Sequence, residues 1–188
     1  MNILLLGPPG AGKGTQGELL AGRLALPRFS TGDLLRDAVR RGTPIGLKAK
    51  AVMEAGHLVS DDIILGVIRE ELAKPAAANG VIFDGVVRTI RQAEGVAEIL
   101  GGLGRRMDHV LFFDVPDQEL VQRLAGRRTV ERRADDDPAS VTRRLEAYRA
   151  QTAPLIDWYA ARGTLTTIDA VGSVADVAAR VTEALARQ

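Results

Sequence analysis

Two textures alternate along this chain: short unbroken apolar runs, and longer stretches with an apolar residue at every third or fourth place. The runs are Asn2-Ile3-Leu4-Leu5-Leu6, Val81-Ile82-Phe83, His109 to Val115 and Thr164 to Ile168, with Arg28-Phe29-Ser30 as a shorter fifth. Apolar runs of this length read as strands buried on both faces. The spaced stretches predict helices. One opens near Lys13 and runs through Gln16 to Leu26, with Leu19, Leu20 and Leu24 toward one side and Pro27 as its stop. Ser30 and Asp33 have capping-box spacing, so a second runs to Arg41, where Gly42-Thr43-Pro44 breaks it. A third covers Ile45 to Ala55. A fourth starts at Ser60-Asp61-Asp62 and buries Ile63, Ile64, Val67, Ile68 and Leu72. Thr89 to Leu100 places Ile90, Ala93, Ala97 and Leu100 on one face, and Asp117 to Ala125 forms another helix. Val141, Leu145, Tyr148, Thr152, Leu155, Ile156 and Tyr159 belong to a long helix that Pro154 interrupts. Ser173 and Asp176 open the last helix, packed through Val174, Val177, Val181 and Leu185. Gly126 to Pro138 is polar, rich in arginine and aspartate, and reads as an exposed flap.

Strands alternating with helices predict an α/β fold, a parallel sheet of about five strands covered on both faces. Ligands in such sheets sit beyond the carboxyl ends of the strands. The segments after Leu6, after Phe83 and after Ile168 therefore surround one cleft. The 188 residues suit one main domain with inserted flaps, and a 46% hydrophobic content supplies a core. Lysine and arginine number 25 against 24 acidic residues, which argues against a general nucleic-acid or membrane-surface binder. With no cysteine, disulfides and thiolate metal sites are excluded. The first apolar run is too short, with no charge ahead of it, for a signal peptide, and no stretch approaches the roughly 20 apolar residues of a membrane span. A soluble cytoplasmic protein is the expectation.

The first run leads into Gly7-Pro8-Pro9-Gly10-Ala11-Gly12-Lys13-Gly14-Thr15. This fits the phosphate-binding loop G-x-x-x-x-G-K, except that Gly14 follows the lysine and the hydroxyl comes at Thr15. Glycines let such a loop curl its N–H groups onto phosphate oxygens, and the helix that follows adds its positive end. Lys13 supplies an ammonium that can follow a phosphoryl group in flight. A glycine-rich turn without a ligand is the plain alternative. Asp84, at the end of a strand parallel to the loop strand, is where magnesium on a nucleotide would be balanced. As half of an Asp-Gly pair it also suits a simple turn.

Of the 25 cationic residues 21 are arginine, and Arg123, Arg127, Arg128, Arg132, Arg133, Arg143, Arg144 and Arg149 fall in one stretch. Guanidinium forks can neutralise a phosphoryl group in transfer. Residue types alone favour a solvated face paired with Glu131, Asp135, Asp136, Asp137 and Glu146. An RNA-binding patch is weaker still, since no aromatic side chain is interleaved. For Ser30, Thr31, Thr89 and Gln92 helix capping outweighs ligand binding on spacing. His57 and Met53 carry no signal of their own.

With those residues in place the chain resembles the adenylate kinase family from Met1 to near its C-terminus. The matches are the loop through Gln16, Ser30-Thr31-Gly32-Asp33-Leu34-Leu35-Arg36, Met53-Glu54-Ala55-Gly56-His57-Leu58-Val59, Asp84-Gly85-Val86-Val87-Arg88-Thr89 with Gln92-Ala93-Glu94, Arg133-Ala134-Asp135-Asp136, and Tyr148 with Thr152-Ala153-Pro154-Leu155. The displaced Gly14-Thr15 is the form that family uses. The resemblance implies a P-loop NTPase-type core at 1–29, 60–126 and 138–188, a flap over the nucleoside monophosphate at 30–59 and a short lid at 127–137. It implies reversible transfer from Mg·ATP to AMP, giving two ADP, by a monomer that uses magnesium but no zinc and binds neither nucleic acid nor membrane. Gly10, Ala11, Gly12, Lys13, Gly14 and Thr15 would hold ATP phosphates, Arg127 and Gly172 its base, and Asp84 the metal through water. Thr31, Arg36, His57, Leu58, Val59, Gly85, Val86, Val87, Arg88 and Gln92 would hold AMP. Arg88, Arg123, Arg133 and Arg144 would join Lys13 around the moving phosphoryl group, with Arg133 and Arg144 also reaching AMP.

The chain departs from the family pattern in three places. Val86-Val87 replace Phe-Pro, which frees the backbone ahead of Arg88. His57 stands where lysine is common. The lid reads Arg-Arg-Thr-Val-Glu-Arg-Arg, so the roles of its arginines are harder to assign. A UMP/CMP kinase is the alternative within the same chemistry, although Thr31 favours AMP. An ATP-dependent switch or binding module is the alternative of another class, and would lack a transfer arginine.

Overall fold

The computed structural model describes residues 1–54, 59–131 and 138–186, with side chains described for the same residues except 53–54, 126–131 and 138–140. Five strands form one parallel sheet: β1 (Asn2–Leu6), β2 (Arg28–Ser30), β3 (Val81–Asp84), β4 (His109–Asp114) and β5 (Leu165–Asp169). Their order is β2-β3-β1-β4-β5. The α/β parallel sheet expected from the run pattern is therefore present, with the short Arg28–Ser30 run as an edge strand. The chain leaves β1 toward β2 and β3 on one side and adds β4 and β5 on the other. The loop after β1 thus opens at the point where strand order reverses, where a crevice forms beyond the strand ends.

Alternation along each strand divides the core in two. Leu4, Leu6, Phe29, Val81, Phe83 and Val110 face one side with helices α2 (Thr31–Arg41), α4 (Asp61–Leu72) and α5 (Ile90–Gly102). Ile3, Leu5, Ile82, Leu111, Phe113 and Ile168 face the other, against α1 (Lys13–Leu24) and α9 (Val174–Ala186). Most of these strand side chains are fully buried, and each such burial contributes about 1.5–3 kcal/mol. The sheet is covered on both faces, which is why its strands read as unbroken apolar runs.

The remaining helices are α3 (Pro44–Glu54), α6 (Asp117–Glu131), α7 (Pro138–Ala147) and α8 (Pro154–Ala160). Between α7 and α8 the chain makes a π-helical turn, Tyr148–Thr152, and Pro154 sits in the first turn of α8, where its missing N–H costs nothing. Several sequence expectations need correction. The first helix stops at Leu24, because Ala25 adopts a left-handed conformation. Within it Leu20 is buried while Leu19 is exposed. On α5 the buried residues are Gln92, Ala93, Val96, Ile99 and Leu100, whereas Ile90 and Ala97 face solvent. On α9 Val177, Val181 and Ala184 are buried and Val174 is exposed. Helix α6 continues past Ala125 to Glu131, into the stretch that polarity alone marks as a flap.

Candidate functional site

The loop after β1 curls before it becomes helix. Gly10 and Gly12 have φ of 87° and 88°, a region that side chains rarely adopt. Gly12 is the N-cap of α1 and offers no side chain to its free N–H groups. Those donors and the helix dipole therefore remain for an anion. Lys13 Nζ donates to the carbonyls of Gly7 (2.7 Å) and Pro8 (2.8 Å), which holds the ammonium over the loop. Thr15 is exposed in the first turn of α1, on the same cleft.

The strand next to β1 delivers a carboxylate to the same place. Asp84 lies opposite Leu5 in register, so β3 ends beside the loop. Its Oδ2 accepts a hydrogen bond from Arg28 Nη1 at 2.9 Å, and Arg28 also reaches the Gly14 carbonyl at 3.3 Å. Beyond Asp84 the chain is tied down in four ways. Val86 and Val87 bury their side chains in the core. The Arg88 N–H donates to Gln92 Oε1 (2.6 Å), and the Arg88 carbonyl accepts from Thr152 Oγ1 (3.1 Å). Thr31 Oγ1 donates to the Gly85 carbonyl at 3.0 Å. Gln92 also donates from Nε2 to Asp61 Oδ1 at 2.7 Å.

These segments line one cleft of about 960 Å³. Gly10 to Thr15, Asp84, Gly85, Val87 and Gly172 line it, with the cationic side chains of Arg36, Arg88, Arg123 and Arg144. Arg123 is oriented by Glu119 Oε1 and the Ala170 carbonyl, each at 2.9 Å. Burial holds the Arg88 guanidinium below the ordinary arginine value; the like charge of Arg144 adds to this, and Asp84 opposes it. Arg88 is exposed to solvent, with its Nε donating to the Gly85 carbonyl at 2.9 Å, but it lies within a concavity whose surrounding protein reduces its hydration. Two guanidinium groups facing one space in this way form a receptor for an anion.

Thr31, Val59, Val86 and Gln92 do not line the cleft: Thr31 and Gln92 brace the residues that do, Val86 is buried, and Val59 packs against the core. Both Ser30 and Thr89 cap helices, accepting from the N–H groups of Asp33 and Gln92. Arg127 lies on α6 outside the described side chains, and His57, Leu58 and Arg133 lie outside the described residues. Two cleft residues have no role in the sequence reading. Arg28 meets Asp84 across 56 positions of chain, which no local pattern encodes. Tyr148 lines the cleft with its hydroxyl buried and unpartnered among the described residues. Burial, with the Asp114 carboxylate adding to it, pushes this phenol up to about 12, so it is a neutral donor. Its place beside Thr152 in the π-helical turn was the available signal.

Among the described residues no three His, Asp or Glu side chains gather as a metal cage. One strand-end carboxylate beside a phosphate loop and a threonine hydroxyl is nevertheless the sparse oxygen set that magnesium accepts when phosphates and water complete its shell.

A family model described as adenylate kinase matches residues 5–164. The chain belongs to the adenylate kinase family. Among its relatives are proteins named adenylate kinase from Gemmatimonas aurantiaca (49% identical, 98% of this chain and 99% of that one) and Xanthomonas euvesicatoria (48%, all of both chains). A third, from Stenotrophomonas maltophilia, is 46% identical over 98% of this chain and 99% of its own. The first alignment spans 211 positions against the 188 residues here, so that relative carries segments this family member lacks. No helix among the described residues is long and apolar enough to cross a membrane.

Proposed function

We infer that this chain is an adenylate kinase in activity, moving the γ-phosphoryl group of ATP reversibly to AMP to give two ADP. One observation carries the reading: Lys13, Arg88, Arg123 and Arg144, from separate segments, line a single cleft with the phosphate loop. The N–H groups of Gly10 to Thr15 bind the ATP phosphates, and Lys13 exchanges its loop carbonyls for their oxygens. Arg88 and Arg144 bind the AMP phosphate. That acceptor is already an anion at neutral pH, so an oxygen of it attacks the γ-phosphorus without a general base. The bond to the β-phosphate oxygen breaks in line, and ADP leaves as an anion. Arg123 and Lys13 follow the charge that spreads over the moving group, held ready so that little reorganisation is needed. Asp84 and Thr15 would hold magnesium carried on the nucleotide, which would supply charge neutralisation to the phosphates.

Thr31 braces the Gly85 carbonyl from outside the cleft lining, and in this reading it reaches the base of AMP only as residues 30–59 close over it. In the same reading residues 30–59 cover AMP, with Arg36, His57, Leu58, Val59 and Gln92 contributing, and residues 127–137 cover ATP with Arg127 and Arg133. Gly172 reaches the ATP base, and the core comprises 1–29, 60–126 and 138–188. Closure over both substrates keeps water from the phosphoryl group. The site is built from one chain, which supports a monomer, and the reading places it in the cytoplasm.

Coupled assays with AMP, CMP, UMP and GMP as acceptors test this. ADP formation that depends on AMP is expected. Preference for CMP or UMP would overturn the adenine assignment, and acceptor-independent hydrolysis alone would mark a switch.

A further inference from the structure

Arg28 has no part in the phosphoryl transfer described above, yet its position is built. It opens the edge strand β2, in register with Ile82, and Ser30 is in register with Asp84. Arg28 and Asp84 therefore share the α1 face of the sheet, two residues apart along the strand direction, and an extended arginine spans that gap. The pair is largely shielded from water: the side chains are 30% and 11% exposed. Helix α1 makes room for it at Gly17, where a Cβ would lie 3.1 Å from Arg28 Cδ and 3.0 Å from Leu5 Cδ1, whereas a Cβ at Gly14 would make only ordinary contact with the pair. Among the described residues Arg28 alone bonds the Asp84 carboxylate.

The guanidinium thus occupies the oxygen beside which a nucleotide-borne cation would settle. We propose that Arg28 competes with magnesium for Asp84 and thereby sets how strongly nucleotide binding depends on the metal. This rests on the reading of Asp84 as the residue facing magnesium. Arg28 is a positioning residue, acting through that carboxylate. By pairing with that carboxylate it offsets the negative charge that would otherwise draw a divalent cation, and so lowers the preference for the magnesium complex.

The test is calorimetric titration of the full chain with ATP, with magnesium and with EDTA, comparing the ratio of the two dissociation constants. Arg28→Gln should raise the preference for the magnesium complex roughly five-fold or more, a modest share of what one unscreened charge at that range can do. Arg28→Lys should restore the parent ratio, whereas loss of mere packing would not be rescued by charge. An unchanged or lowered ratio in Arg28→Gln overturns the proposal, as does an equally large effect of Arg28→Gln in an Asp84→Asn background. Asp84→Asn alone separates the two levels. If it leaves the ratio unchanged, the metal reading of Asp84 has failed. If it lowers the ratio while Arg28→Gln does nothing, only the role of Arg28 has failed. A thermal melt of each variant establishes that it is folded before its ratio is read.

Discussion

The two ends of the sheet use the same kinds of side chain in opposite ways. At the amino ends of the strands polar groups are spent on one another. Asn2 receives Arg105 on its Oδ1, donates from Nδ2 to the Arg106 carbonyl at 2.6 Å, and donates its N–H to Asp108 Oδ2 at 2.7 Å. The terminal ammonium of Met1 bonds the Asn79 carbonyl at 2.7 Å. At the carboxyl ends Arg88 and Arg144 face one cleft, and the positive charge of Arg144 works against that of Arg88. One end closes hydrogen bonds and holds the strands in register. The other gathers like charges around one cleft, a local conflict of the kind expected at a working site.

The contrast is testable, starting where the effect is largest. Lys13→Ala and Arg88→Ala should each depress turnover by roughly 10²-fold or more with a much smaller effect on the melting temperature, because each removes a preorganised donor whose bonds to the carbonyls of Gly7 and Pro8, or of Gly85, stay within the cleft loops. Near-normal steady-state rates in either would erase the distinction. Asn2→Ala should do the reverse. It removes two side-chain hydrogen bonds, those with Arg105 and with the Arg106 carbonyl, from a residue only 2% exposed, so urea denaturation should show a loss of about 1–3 kcal/mol with kcat unchanged. Val87→Pro sharpens the picture within the cleft. Since Val87 is buried and Arg88 is tied through Gln92 and Thr152, stiffening this backbone should alter AMP affinity by less than about five-fold, the range of a proline effect on a compatible backbone. The smallest effect concerns pH. Hydrogen bonds from Ser30, and then from Arg36, hold the Asp33 carboxyl below its ordinary 3.8. A lowered folded value means that this stabilisation is complete above about pH 4 and disappears as pH falls through the lowered value. In an exposed pair it should be below about 1 kcal/mol, read as the difference between the parent and Asp33→Asn in denaturant titrations at pH 6 and pH 3.

What was legible in the sequence was contiguous. The phosphate loop, the strand ending at Asp84 and the caps at Ser30 and Thr89 each depend on residues a few places apart, and their spacing carries the physics. Helix phase was less secure. On α5 a stripe through Ile90 and Ala97 is as periodic as the true one through Val96 and Ile99, and only the sheet decides between them. The extension of α6 to Glu131 was hidden because arginine and glutamate favour helix without any apolar stripe to announce it. Thr152 holding Arg88 and Arg28 holding Asp84 were beyond reach, since each joins segments more than fifty positions apart.

The π-helical turn at Tyr148–Thr152 has a consequence for evolution as well as for chemistry. Downstream, Leu155 and Tyr159 are locked in the core; upstream, α7 carries Arg144 to the cleft. One residue more than an ordinary turn needs rotates everything before it by about 100° about the helix axis. Where the guanidinium of residue 144 aims is therefore decided several residues away, by a count and not by an identity. Deleting Ala150 alone would leave every cleft-lining side chain encoded and still swing that arginine out of the cleft.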